Sequence, residues 1–440
     1  MKKRILTLVL AALLSFTLSG CTGFTLNVSE LMHPPKATGE NAEIQKLIDN
    51  HAGENYTLKY PQSGAYRTAV TTTDYDGDGD EEAVAFYLPA GEAQTIHLLI
   101  MKEVKGEWTV VGDHVSNSTR VDRLIFADLD GDKVKEIIVG WSSYNSLINS
   151  ISLYLTEKGK STEIPSNFTY TDILVGDFTA KGREELMLLS LYTPERPATA
   201  SLVTLNDTRN NIYAISETPI DDDVVSFSQL LCGNVFDGQF GVAVDGITSS
   251  GTYCTQLLYF SEYFASLQRV SFTDDTPVNQ ATRSYAIKCC DIDSDGIIEV
   301  PNTFRMNLDQ TQVDVVPAAL IYWCEYTSLG QMVVDRKDAA SLVYGFYFSI
   351  PERWGDDITA YANFSTNEIT FCQWDDKNGF GDQLLVIKMF TPEAWEDEVS
   401  SRGYTEITRN DSYIYTFSVP QSNSSLLLTN DEVIEAFSLM

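Results

Sequence analysis

What most constrains this chain is that it repeats. Five segments line up: "RTAVTTTDYDGDGDEEAVAFY", "DRLIFADLDGDKVKEIIVGWS", "TDILVGDFTAKGREELMLLSL", "SQLLCGNVFDGQFGVAVDGIT" and "SYAIKCCDIDSDGIIEVPNTF". Each is an apolar run, a polar or glycine-bearing loop, and a second apolar run. With Asp74, Asp128, Asp177, Asn234 and Asp291 as the first loop position, the steps are 54, 49, 57 and 57 residues. A period near fifty is long for a solenoid coil and suits a four-stranded propeller blade with generous loops.

The strands can be counted inside a unit. The second unit gives "DRLIFAD", "KEIIVGWS", "SISLYLTE" and "STEIPSNF"; the third gives "TDILVGD", "EELMLLSLY", "TASLVTLN" and "NIYAISET". Runs rich in Val, Ile, Leu, Tyr and Thr between turn signals argue for antiparallel sheets. No helix-period segment interrupts them between Tyr56 and Val343. The expected fold is therefore mainly β: a β-propeller over residues 41–340, with five four-stranded blades by count and six or seven if units are degenerate. Closing such units into a ring would leave no sheet edge free. A β-sandwich would not explain the self-similarity. Before the repeats, "AEIQKLIDNHAG" has helical spacing and a stop at Gly53, and is expected to dock on the propeller. Residues 341–440 break the pattern and are expected to form a small α+β domain. Thr391 and Pro392 open one helix there, and Thr429 with Glu432 forms a capping box for another.

Three of the loops share a spacing with chemical meaning. Asp74, Asp76 and Asp78 are followed by Glu82; Asp128, Asp130 and Asp132 by Glu136; Asp291, Asp293 and Asp295 by Glu299. Alternate residues of a tight loop can point inward together, giving four carboxylates around one point. The seventh position (Asp80, Val134 or Ile297) can add its backbone carbonyl, which leaves its side chain free to vary. An all-oxygen cage suits a hard cation, and the flexible coordination of Ca²⁺ fits better than that of Mg²⁺. An EF-hand would need a glutamate at the twelfth position and flanking helices, and these loops have neither. Strand-DxDxDG-strand units repeated along a chain resemble FG-GAP and VCBS-type propeller repeats. That resemblance, over Tyr56 to Ala340, implies calcium held between the first two strands of a blade. About three structural Ca²⁺ ions are expected. The third loop carries Lys181 at a carboxylate position, and the fourth offers no cage.

Charge and the first residues bound the setting. A formal net charge of −32 excludes nucleic acid as a partner, because phosphates are repelled. "MKKRILTLVLAALLSFTLSGC" has a basic start, an apolar run and small residues before Cys21, the layout of a secretory signal over residues 1–20. Its ending, "LSGC", resembles the lipobox of bacterial lipoproteins. This implies diacylation of Cys21, a tether over residues 21–40, and a body exported and lipid-anchored to the bacterial cell membrane, facing outward. Membrane contact would then be through the lipid alone. The remaining cysteines, Cys232, Cys254, Cys289, Cys290, Cys324 and Cys372, permit disulfides or buried thiols alike.

No catalytic constellation stands out. The histidines, His33, His51, His97 and His114, belong to no zinc motif, and there is no nucleophile elbow or phosphate loop. If the acidic loops mark one end of the blades, the loops joining second and third strands lie at the other. Trp141, Tyr144, Tyr192 and Arg196 sit there and could stack on sugar rings or anchor a protein. The expected function is that of a non-catalytic, calcium-stabilised surface protein binding a protein or glycan. The alternative is an extracellular saccharide hydrolase built on a propeller, with paired carboxylates as its machinery.

Overall fold

The computed structural model describes residues 40–53, 55–92, 95–144, 148–272, 282–308, 315–397, 401–421 and 424–440. The signal segment, Cys21 and the tether lie outside the described residues. The chain is mainly β and has the sheet architecture of a β-propeller: successive antiparallel sheets, most of them following chain order.

The strands fall where the repeats put them. The second blade contains β6 (Arg120–Ala127), β7 (Glu136–Ser142), β8 (Asn149–Glu157) and β9 (Lys160–Ile164). The third is β11 (Asp172–Gly176), β12 (Glu185–Ser190), β13 (Thr199–Leu205) and β14 (Ile212–Pro219), hydrogen-bonded in that order. In the first blade the innermost strand is split. β1 (Tyr56–Lys59) and β2 (Val70–Thr73) pair with successive halves of β3 (Glu82–Pro89), before β4 (Ile96–Val104) and β5 (Glu107–Ser116). The fourth blade opens with β15 (Val224–Phe236) and β16 (Gln239–Thr248), the fifth with β20 (Val300–Arg305) and β22 (Ala319–Tyr326).

Second strands are buried on both faces, which is why they read as continuous apolar runs rather than alternating ones. In β3, Val84 and Phe86 pack against Ile137, Val139 and Trp141 of the second blade. In β12, Leu186 and Leu188 face the second blade, while Met187 and Leu189 face the fourth through Val242 and Val244. Each fully buried Leu, Ile or Phe contributes about 1.5–3 kcal/mol, so these inter-blade seams hold the stack together.

The stack has distinct ends. Ala83, Ala85 and Tyr87, on the other face of β3, pack against Ile44 and Ile48 of α1 (Glu40–Ala52). The helix docks as its spacing predicts and stops at Gly53, whose φ is +86°. It covers the face on which a ring-closing blade would have to pack. No core cluster among the described residues joins the first sheet to the last. At the far end, Ala339, Phe346 and Phe348 of the fifth blade pack against Ala360, Phe371, Leu385 and Phe417 of a six-stranded sheet.

The boundary expected at residue 340 falls inside the fifth sheet. Its fourth strand, β24 (Phe346–Ser349), lies beyond that point, and the chain returns at the end to add β30 (Phe437–Leu439). The capping box forms as expected: Thr429 Oγ1 accepts the Glu432 N–H at 3.3 Å, and Glu432 accepts the Thr429 N–H at 2.7 Å. The helix expected after Thr391 is only Pro392–Trp395. Glu396 and Asp397 place negative charge at what would be its carboxyl end, where the helix dipole disfavours it.

Candidate functional site: acidic loops and ligand surfaces

Four loops, in the first, second, third and fifth units, share one backbone whatever their sequence. The fourth loop position has positive φ at Gly77, Gly131, Ala180 and Ser294; the sixth at Gly79, Lys133, Gly182 and Gly296. The first-position aspartate holds the shape. Asp74 accepts the Gly77 and Gly79 N–H groups at 2.7 and 3.1 Å; Asp128 accepts those of Gly131 and Lys133 at 2.7 and 3.0 Å. Asp177 holds Lys181 and Gly182 at 2.9 and 2.8 Å, and Asp291 holds Gly296 at 3.0 Å. Backbone bonds also link one loop to the next: Lys135 N–H to Tyr75 O, Glu184 N–H to Asp128 O, and Ile298 N–H to Asn234 O. These bonds tie the first loop to the second, the second to the third, and the fourth unit to the fifth.

The ninth position is buried glutamate in all four: Glu82, Glu136, Glu185 and Glu299. One oxygen of each accepts the backbone N–H of the second loop residue, Tyr75, Leu129, Phe178 or Ile292, at 2.7–3.1 Å. Three carboxylate oxygens converge within 4.8 Å of one another in each expected cage. They come from Asp74, Asp76 and Asp78; from Asp128, Asp130 and Glu136; and from Asp291, Asp293 and Asp295. The fourth carboxylate expected in each, Glu82, Asp132 or Glu299, lies outside its group; the Asp132 side chain accepts the Val134 N–H at 2.8 Å and pairs with Arg209. The seventh residues, Asp80, Val134 and Ile297, donate their N–H to the fifth-position aspartates.

The cages differ in what faces them. Lys102 of β4 reaches into the first and contacts Asp76, Asp78 at 2.8 Å and Glu82 at 2.8 Å. Desolvation alone would lower its pKa, but hydrogen bonds from these carboxylates hold the ammonium well above its ordinary value. Arg209, in the β13–β14 turn of the third blade, reaches the second cage: Asp130 and Asp132 at 2.9 Å and Glu136 at 3.5 Å. Burial pushes Glu136 up to about 8 despite that cation. In the third loop, Thr179 Oγ1 donates to Glu185, and Arg183 stands 4.0 Å away. Lys181 forms no ion pair among the described residues. At the fifth cage no Lys or Arg among the described residues pairs with any of its carboxylates. Burial, with Asp293 and Asp291 nearby, pushes Glu299 up to about 7. In the fourth unit Phe236 and Gln239 pair across a tight hairpin, with no loop to hold an ion.

The fifth loop is fixed from below by a buried ion pair. Arg283 donates to Asp245 Oδ1 at 2.9 Å and to Thr255 at 2.7 Å, and Asp245 also accepts the Cys289 N–H at 2.9 Å. This pins the segment leading into Asp291 onto the fourth blade. All six described cysteines are free thiols.

At the opposite end one expectation is corrected. Trp141 is 3% exposed and packs edge-on against Phe86, so its ring is core and cannot stack on a ligand. Tyr144 is exposed, with the Arg120 guanidinium 4.1 Å from its ring centre. Tyr192 is exposed beside a cavity of about 640 Å³ between the second and third blades. Thr169, Thr171, Arg196, Ser201 and Glu217 are among its lining residues.

The largest exposed aromatic surface is at the acidic-loop end. Tyr263 and Phe264 are 89% and 64% exposed and meet edge-to-face at 4.9 Å. They border a cleft of about 700 Å³ shared with Phe178, Phe240, Tyr259 and Leu329. The repeat pattern hides them, because they sit in the turn before β18 (Ser266–Arg269) and belong to no strand.

No protein-family model and no curated protein matches the chain. Among solved structures it is similar to the Dos1 propeller, at 10% identity and TM-score 0.28, over 77% of this chain and 89% of that one. It is also similar to the WD40 domain of Toxoplasma gondii coronin (10%, 0.28, over 80% and 82%). A third is the exotype rhamnogalacturonan lyase YesX (10%, 0.31, over 82% and 91%). The propeller class rests on the chain's own sheets rather than on these likenesses.

Proposed function

We propose that this chain is a calcium-stabilised, lipid-anchored cell-surface binding protein without catalytic chemistry, and that it recognises a protein or glycan. The observation that carries the binding role is the Tyr263–Phe264 cleft. Exposed aromatic area of this kind is uncommon on a surface with no partner, and such rings supply contact area at little entropic cost. Its rings stand among polar side chains such as Asp177, Gln239 and Glu262, a mixed lining that suits a protein or a glycan. The DxDxD loops and their likeness to FG-GAP and VCBS-type repeats support calcium, and "LSGC" supports an anchor at Cys21. With carboxylate oxygens already converging, an ion would offset their repulsion and tie first strands to second strands.

The test is binding of the chain to immobilised panels of extracellular proteins and glycans, in parallel with a Tyr263→Ser/Phe264→Ser double variant. Saturable binding lost in the variant supports the reading; binding that the variant leaves intact moves the site elsewhere. A second reading, a saccharide hydrolase, draws on the hydroxyl-rich cavity beside Tyr192, where Glu195 and Glu217 supply two carboxyl groups. Release of reducing ends from polysaccharides, lost on Glu217→Gln, would favour it over the binding role.

A further inference from the structure

We infer that the fifth-unit loop is the divalent-cation site of this chain, with Glu325 and Asp335 as additional carboxylates, and that Lys102 and Arg209 replace the ion in the first and second loops. This rests on the calcium reading above and changes its count from three to one.

The ninth-position glutamates make the comparison internal to the molecule. All four use one oxygen on a backbone N–H. The second oxygen of Glu82 makes no hydrogen bond but is ion-paired with Lys102 at 2.8 Å, that of Glu136 meets Arg209, and that of Glu185 accepts from Thr179. The second oxygen of Glu299 has neither a hydrogen bond nor an ion pair among the described residues, although the residue is 0% exposed. A buried carboxylate oxygen left without hydrogen bond or counter-charge is costly. Ile292 N–H holds this carboxyl beneath the loop, with Asp291 and Asp293 as its charged neighbours.

Strand register sharpens the contrast. Glu82 pairs directly with Lys102 across β3 and β4. In the fifth unit Val300 pairs with Cys324, so the adjoining residues across that register are Glu299 and Glu325. An acid therefore stands where the first unit has its lysine. Asp335 lies on β23 (Met332–Ser341), the strand paired with that of Glu325, and both acids feel the charges of Asp293 and Asp295. Arg336, whose charge reaches Asp335, is itself engaged by Asp338 at 2.7 Å. Two unit charges 4 Å apart interact by about 4 kcal/mol at a protein-surface dielectric. Four loop carboxylates with no Lys or Arg ion pair among the described residues, and two further acids on the adjoining strands, thus call for a multivalent cation. A hard dication taking six to eight oxygens matches that donor set, and Ca²⁺ tolerates its irregular spacing. In the first two loops a protein cation already sits among the carboxylates, so an ion would have to displace a tethered ammonium or guanidinium.

The test is calorimetric titration of the whole chain with calcium after chelation, with circular dichroism to confirm folding. One ion per chain is expected, lost on Asp293→Asn or Glu299→Gln and kept on Asp130→Asn. Lys102→Gln should raise the count to two; Arg209→Gln should do so at the second loop if the first variant does not fold. Three ions in the unaltered chain would leave the calcium reading standing and overturn this inference. So would a single ion that Asp130→Asn removes, or a count unmoved in both folded cation variants. No uptake at all would overturn the calcium reading itself.

Discussion

The first and fifth loops are built on the same frame and are solved differently. Both have Asp-x-Asp-x-Asp, left-handed fourth and sixth positions, and a buried ninth-position glutamate bonded to the second residue's N–H. In the first, the neighbouring strand supplies Lys102; in the fifth, the same register supplies Glu325. On the inference drawn above, one residue type on a strand outside the motif decides whether the cage is closed by the protein or left for an ion. A motif gives the donors, and the neighbours set the charge that those donors must balance.

The largest effect should come from moving the lysine. Glu325→Lys should place an ammonium beside Glu299 and weaken calcium binding by at least a hundredfold, about 2.8 kcal/mol, with the fold retained. Unchanged affinity would mean that Glu325 does not face the ion. Next is the reverse change studied without metal. Lys102→Gln leaves buried Glu82 uncompensated and should cost about 3 kcal/mol in urea unfolding under chelator, most of it recovered on adding calcium. Arg209→Gln should cost less, about 1 kcal/mol, because that side chain is partly solvated and its charge is screened. The third loop is the control. Asp177→Asn keeps part of the turn's bonding and should change stability by at most about 1 kcal/mol and calcium uptake not at all. A change in ion count there would break the comparison.

Much of the architecture was legible because the blades repeat. Four strands each in the second and third units, helix α1 with its stop at Gly53, and the Thr429–Glu432 capping box follow from local pattern. The acidic loops were legible for the same reason. Their partners were not. Lys102 lies on the following strand and Arg209 on another blade, and both become neighbours only once hairpin register and blade stacking are fixed. Trp141 read as a loop aromatic because it ends an apolar run. The seam with Phe86 that buries it is a contact between blades. The covering of the first blade by α1 in place of a closing blade is likewise a choice of packing. The continuous apolar run of β3 demands that both faces be buried and does not say by what.

The central claim is best tested by locating the ion directly. In crystals grown with calcium, an anomalous difference map should show one strong peak, among Asp291, Asp293, Asp295 and Glu299, with Lys102 and Arg209 density in the other two cages. Peaks of similar height in all three loops, or one at Asp130 and none at Asp293, would contradict it.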